Sequence, residues 1–195
     1  MYTGLVAGTG TVLAADPEQE GYRLRIEPNG FVAPEPGDSV SVQGVCLTAD
    51  RVGDGWFTAF CSETTLAKST LGSLEPGDAV NLESPVAAGD ALDGHLVRGC
   101  VKTTTEVLAV ESTGAGWRYT LAIPDGFAGY LVTEGPITVD GVSLTVAELT
   151  EQTVTITVIP ETAERTTLGD TEPGDRVNLE SDPVAKYVAR QEAVA

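Results

Sequence analysis

Apolar residues along this chain come in short runs, each closed off by glycine, aspartate, asparagine or proline. Val40-Ser-Val42, Leu47-Thr-Ala49, Trp56-Phe-Thr-Ala59 and Val80-Asn-Leu82 alternate or cluster β-formers in the first half. Ile137-Thr-Val139, Leu144-Thr-Val-Ala147, Val154-Thr-Ile-Thr-Val-Ile159 and Val177-Asn-Leu179 do the same in the second. Turn signals separate these runs at Pro36-Gly37, Gly53-Asp-Gly55, Pro76-Gly77, Pro124-Asp-Gly126 and Pro173-Gly174. Punctuation about every 8–12 residues predicts an antiparallel barrel or sandwich rather than βαβ units. About six strands in each half favour a small closed barrel, because closure removes the sheet edges that invite aggregation.

Helical patterning is scarce. The segments 63–69 and 161–165 are each long enough for a short turn or helix. The tail 182–193 is the best helix candidate, with Asp182 as N-cap and Pro183 at the first helical position. Val184, Tyr187 and Val188 then form an apolar stripe at helical spacing. That stripe fits either a helix folded back on its own barrel or a contact with another copy.

The two halves repeat each other. Gly72-Ser-Leu-Glu-Pro-Gly-Asp-Ala-Val-Asn-Leu-Glu-Ser84 returns 97 residues later as Gly169-Asp-Thr-Glu-Pro-Gly-Asp-Arg-Val-Asn-Leu-Glu-Ser181, with ten of thirteen positions identical. The same offset aligns Val42-Gln-Gly-Val-Cys-Leu-Thr48 with Val139-Asp-Gly-Val-Ser-Leu-Thr145, and Thr65–Gly72 with Thr162–Gly169. Near the start, Gly4-Leu-Val6 meets Gly99-Cys-Val101 at an offset of 95. The period is too long for a solenoid unit, about 20–50 residues, and long enough for each copy to bury a core of its own. Two tandem domains, 1–90 and 91–182, followed by a tail 183–195, are therefore expected, with two similar pockets.

Charge narrows the partners. A formal net charge of −18 argues against nucleic acid and against an anionic membrane surface, both of which select basic patches. No apolar run approaches the roughly 20 residues of a membrane helix. Met1-Tyr-Thr-Gly-Leu-Val6 lacks a basic segment followed by an apolar stretch, so a soluble cytoplasmic protein is the expectation. Cys46, Cys61 and Cys100 have no C-x-x-C spacing, and His95 is the single histidine. No metal site is expected from them, and the thiols should be reduced.

Taken together, Met1-Tyr-Thr-Gly-Leu-Val6, Gly44-Val-Cys-Leu-Thr48, Gly94-His-Leu-Val97, Asp140-Gly-Val-Ser-Leu-Thr145, Ile159-Pro-Glu-Thr162, Thr166-Thr-Leu-Gly169 and the paired Pro-Gly-Asp-x-Val-Asn-Leu-Glu stretches resemble riboflavin synthase over the whole chain. The resemblance implies an all-β fold of two tandem six-stranded Greek-key barrels with a C-terminal helix that helps to assemble a homotrimer. It implies one 6,7-dimethyl-8-ribityllumazine in each barrel and no metal or cofactor. Two such molecules react, one giving a four-carbon unit to the other, to yield riboflavin. Ligand contacts are implied for Gly4, Val6, Thr48, Thr65, Val101, Lys102, Ser143, Thr145, Ile159 and Thr162. Cys46, Ser39, Cys100 and Asp182 fall on positions implied to be catalytic, and Asp140 also matches a family acid.

The chain departs from that pattern at two places. The family follows Gly-His-Leu with a second histidine, and Cys100 stands there; Glu134 stands where well-studied members carry lysine. An unperturbed thiol titrates near 8.5 against about 6.5 for imidazole, and it cannot relay a proton between two nitrogens. Cys100 is open to three readings: a small structural replacement, an altered catalytic task, or loss of turnover in a protein that binds lumazine or flavin. An altered task would include a related substrate giving a modified pteridine. His95 matches the family's first Gly-His, where a structural role is expected.

Overall fold

The computed structural model describes residues 1–192. The first six strands are β1 (Gly8–Glu18), β2 (Gly21–Glu27), β3 (Ser39–Val42), β4 (Val45–Gly53), β5 (Trp56–Ser62) and β6 (Ala79–Glu83). They close in the order β1-β2-β5-β4-β3-β6. The second six are β7 (Thr103–Thr113), β8 (Gly116–Ala122), β9 (Pro136–Val139), β10 (Val142–Leu149), β11 (Thr153–Val158) and β12 (Arg176–Ser181). Their order, β10-β11-β8-β7-β12-β9, closes into the same circuit. All pairings are antiparallel, for example Ser39 opposite Thr48 and Ser143 opposite Thr138. Each barrel fills its own interior, with Leu24, Ile26, Val42, Phe57 and Leu82 in the first and Leu121, Ile137, Val139, Ile156 and Leu179 in the second, all at most 1 % exposed.

Turn chemistry fixes the strand order locally. Glu-Pro-Gly-Asp occurs at residues 35–38, 75–78 and 172–175, and each time the aspartate carboxylate accepts the glutamate N–H at 2.8–2.9 Å. Proline sets φ at the second turn position, and the following glycine takes the positive φ that such a turn needs. The β3–β4 and β9–β10 hairpins turn on Gln43-Gly44 and Asp140-Gly141, whose φ values of 48°, 77°, 47° and 82° belong to the two-residue turn that matches strand twist.

Short helices follow matching strands. Helix α1 (Glu63–Leu66) is capped by Ser62, and α2 (Pro160–Arg165) has proline in its first turn. The first of these is shorter than the segment 63–69 allowed: Ala67 closes it, and Ser69 is already extended (φ −133°, ψ 166°), capping a 3-10 turn at Thr70–Ser73. Helix α3 (Pro183–Glu192) starts where expected, with Asp182 Oδ1 accepting the N–H groups of Val184 (2.6 Å) and Ala185 (3.3 Å). The expected extension to Ala193 lies outside the described residues. Val184 and Val188 line a groove of about 300 Å³ with Tyr130 and Val132, while Tyr187 remains 72 % exposed.

The barrels meet through side chains from the most repetitive stretch of sequence. Asn81 Nδ2 donates to Asp140 C=O (2.9 Å), and its Oδ1 accepts Thr167 N–H (2.8 Å). Asn178 answers with Nδ2 to Gln43 C=O (2.9 Å) and Oδ1 from Thr70 N–H (2.7 Å). Each residue sits 97 positions from its counterpart, so the joint has a local twofold pseudosymmetry. Both asparagines are at most 2 % exposed, and an unpartnered buried amide would be costly. The shared Asn is thus a clamp between barrels.

Two matched candidate ligand clefts

Each barrel is preceded by a segment that reaches over to the other barrel. Tyr2 and Val97 pair as an antiparallel bridge, their N–H and C=O groups exchanged at 2.7 and 3.1 Å. From there the chain before β1 passes over the second barrel, where Gly4 C=O accepts Ser143 N–H at 2.8 Å. The chain before β7 passes over the first, where Gly99 C=O accepts Cys46 N–H at 2.9 Å. Both contacts require glycine. At Gly4 and Gly99 a Cβ would lie 2.6 Å from the Cβ of Ser143 and Cys46, and φ is +76° and +71°.

Two buried carboxylates hold these segments in place. Glu83 accepts the N–H groups of Thr3 (2.7 Å) and Gly4 (3.2 Å), and Glu180 those of Arg98 (3.0 Å) and Cys100 (2.9 Å). Burial pushes both carboxyls up from the usual range, and the donated N–H groups oppose it. They are the Glu of the repeated Asn-Leu-Glu, so the motif joins the barrels with one residue and anchors the crossing chain with another.

A cleft opens under each crossing segment. The N-terminal one, about 190 Å³, is lined by Val45, Cys46, Thr64, Thr65, Lys68, Ser69 and Gly99–Val101. It adjoins a shallower depression through Cys46 and Thr65 that adds Thr48, Asp50 and Phe60. The C-terminal cleft, about 240 Å³, is lined by Gly4–Val6, Val142, Ser143, Glu161, Thr162, Arg165 and Thr166. The correspondences run through the repeat: Cys46 with Ser143, Thr65 with Thr162, Lys68 with Arg165, Cys100 with Leu5. Each cleft thus combines a strand hydroxyl or thiol, a threonine from the helix, backbone groups, aliphatic walls and one cation. That set combines apolar cover with a few polar groups able to fix the orientation of a small ligand.

The lumazine binding domain matches this chain twice, over residues 3–85 and 98–182. The chain belongs to the riboflavin synthase family of lumazine-binding proteins. It is 44 % identical over 196 residues to the riboflavin synthase of Mycobacterium bovis, covering 97 % of both chains. It is 36 % identical over 191 residues to that of Bacillus subtilis, covering 97 % of this chain and 89 % of the relative. Its fold is similar to that of LumP complexed with 6,7-dimethyl-8-(1'-D-ribityl) lumazine, with a TM-score of 0.84 and 23 % identity over 93 % of this chain and 99 % of that one. LumP complexed with riboflavin gives a TM-score of 0.86 at 24 % identity over the same shares.

Within this family fold, the residues singled out from sequence fall into three groups. Cys46, Thr48, Thr65, Cys100 and Val101 gather at the N-terminal cleft, and Gly4, Val6, Ser143 and Thr162 at the C-terminal one. Ser39 and Thr145 border these groups: Ser39 is the cross-strand partner of Thr48, and Thr145 is two residues along β10 from Ser143. The third group stands apart. The Lys102 ammonium lies 3.7 Å from the centroid of the Tyr130 ring, Ile159 precedes α2 with half its surface exposed, and Asp182 caps α3. Glu134 is exposed in the turn before β9, at φ 65°.

The same position in each barrel has a different partner, fully buried in one and half-buried in the other. Tyr2, fully buried, donates its hydroxyl to Cys46 Sγ at 3.1 Å, and burial pushes its phenol far enough up to keep it a donor. His95 Nδ1 is 2.6 Å from Ser143 Oγ, and its Nε2 is 3.0 Å from Thr138 Oγ1. Desolvation lowers the His95 pKa, with Asp182 pulling the other way, so the ring bridges two hydroxyls as a neutral imidazole. Sequence reasoning missed Tyr2, Glu83, Glu180 and the Lys68–Arg165 pair. The last was within reach, since both lie inside the gapless Thr65–Gly72 and Thr162–Gly169 alignment.

Proposed function

We propose that the protein binds one 6,7-dimethyl-8-ribityllumazine in each barrel and transfers a four-carbon unit from one to the other, giving riboflavin and a diaminouracil. The observation that carries this reading is the pair of clefts matched residue for residue, in a chain whose curated relatives are riboflavin synthases. The lumazine 7-methyl group is acidic because its anion delocalises into the ring, so the substrate supplies the nucleophile. What remains for the protein is to hold two rings in attack geometry and move protons. Cys46, hydrogen-bonded to Tyr2, is the proton-handling group of the N-terminal cleft, with Ser39 at its border opposite Thr48. Ser143, held by His95, and Thr162 hold the second ligand, and Asp182 acts through the field it exerts on His95.

Two lumazines must meet face to face, so the reading pairs the N-terminal cleft of one subunit with the C-terminal cleft of the next in a homotrimer. The exposed Val184, Tyr187 and Val188 of α3 offer apolar surface for that contact. It also places the reaction in the cytoplasm, where thiols stay reduced; no helix among the described residues is long and apolar enough to cross a membrane. Incubating the protein with the lumazine and following riboflavin absorbance tests the transferase, and absence of turnover above the uncatalysed rate at stoichiometric protein sinks it.

Cys100 favours a second reading, because it stands where the family places a histidine. In that reading the protein holds lumazine or flavin without turnover, or makes a modified pteridine. A yellow or blue-fluorescent ligand that co-purifies without turnover, or a new product mass after lumazine incubation, would establish it.

A further inference from the structure

Cys46 and Cys100 line the same cleft, and both side chains are exposed to it. Their backbones are pinned from both sides. Cys46 N–H donates to Gly99 C=O at 2.9 Å, the carbonyl of the peptide that Cys100 completes, and Cys100 N–H is held by Glu180 at 2.9 Å. Cys100 directly follows Gly99, the residue packed against Cys46 so closely that a Cβ on it would lie 2.6 Å from Cys46 Cβ. The Cys100 Cα is therefore one ~3.8 Å step from that point, against the roughly 4.4–6.8 Å between Cα atoms that a disulfide requires. Cys100 Sγ now rests 4.0 Å from Arg98 C=O, a weak contact that one χ1 rotation gives up. We propose that these two thiols form a reversible intramolecular disulfide that seals the N-terminal cleft and leaves the C-terminal cleft open.

The step needs an oxidant, and a hydroperoxide suffices. It transfers one oxygen to the sulfur of one cysteine, giving a sulfenic acid and, from hydrogen peroxide, water. The sulfur of the other cysteine attacks that sulfur, the S–O bond breaks, and the oxygen leaves as a second water with the thiol proton. A dithiol reductant reverses the sequence. The other thiol is no competitor: Cys61 is fully buried in the first barrel, and burial pushes it up to about 12. The C-terminal cleft carries Ser143 and Leu5 at the matching positions and cannot be crosslinked, so it serves as an internal control.

The test treats the reduced, intact protein with hydrogen peroxide, alkylates the remaining thiols, and maps peptides under non-reducing conditions. A Cys46–Cys100 peptide lacking two hydrogens is expected, absent after reduction with dithiothreitol and absent in Cys100→Ser. Separate sulfinic acids, disulfides only between chains, or a crosslink that appears only after Cys61 becomes alkylatable would overturn the proposal. The binding arm rests on the lumazine reading: fluorescence titration should fall from two sites to one on oxidation and return on reduction. Two sites retained in the crosslinked protein would remove the seal. Failure of the reduced protein to bind lumazine would count against the functional reading, while peptide mapping still decides the thiol pair.

Discussion

Cys46 and Ser143 occupy one position in two copies, and the difference between them separates the clefts chemically. A thiol bonded to Tyr2 in a cleft shared with Cys100 can exchange protons or be oxidised; a hydroxyl bonded to a neutral imidazole mainly orients. Replacing Cys100 by histidine puts a group titrating near neutral pH beside Cys46. Cys100→His is therefore expected to raise riboflavin formation at least tenfold, about 1.4 kcal/mol of barrier, measured as turnover at saturating lumazine. An unchanged rate would mean that the thiol is a neutral replacement. In the other barrel, Ser143→Ala removes the group between His95 and the ligand. One lost hydrogen bond, ~1 kcal/mol, should weaken binding about fivefold at the C-terminal cleft alone, read as one affected site of two in a calorimetric titration.

At the scale of elements, the crossing segments decide whether clefts exist. Gly99→Ala forces a Cβ into Cys46 at a positive φ, so the segment must lift and lose the Cys46 N–H bond. A cost of about 2–4 kcal/mol in denaturant unfolding is expected, with loss of the N-terminal site only; Gly4→Ala should do the same to the C-terminal site. Binding lost at both sites would show that the clefts are not independent. The repeat made this arrangement partly legible, since Gly4-Leu-Val6 aligned with Gly99-Cys-Val101, but alignment does not reveal that each segment serves the other barrel. Strands were legible where apolar and polar residues alternate, as in β3, β6, β9 and β12. Strands β1 and β7 were not, because register shifts at Val12/Ala14 and Val107/Ala109 break the period of two. Glu83 and Glu180 escaped for another reason. A carboxylate at the end of a strand reads as surface, and only the folded chain brings buried N–H donors to it.

Across the whole molecule, the joint between barrels holds one charge that its pseudosymmetry does not require. Gln43 Oε1 accepts Asn81 N–H at 2.8 Å, and Asp140 Oδ1 does the same for Asn178 at 2.8 Å. Asp140 is 3 % exposed, and burial raises its pKa from 3.8 to about 7 despite the hydrogen bonds from Asn178. Between those values the folded chain retains a proton that the unfolded chain has released, so stability falls as pH rises. The contribution is complete below about pH 4 and is lost through about pH 7. The raised carboxyls of Glu83 and Glu180 and relief of the −18 net charge act with the same sign. His95, with its lowered pKa, acts oppositely and costs stability as pH falls below its unfolded value. The wild-type curve mixes these effects, and Asp140→Asn isolates one, because asparagine keeps the acceptor, as Gln43 does, without the charge. Unfolding free energies of the two proteins should coincide near pH 4. They should then diverge in favour of the variant by about 1.4 kcal/mol per pH unit and run parallel above pH 7. A difference independent of pH would mean that Asp140 ionises normally in the fold and that the joint tolerates a buried carboxylate.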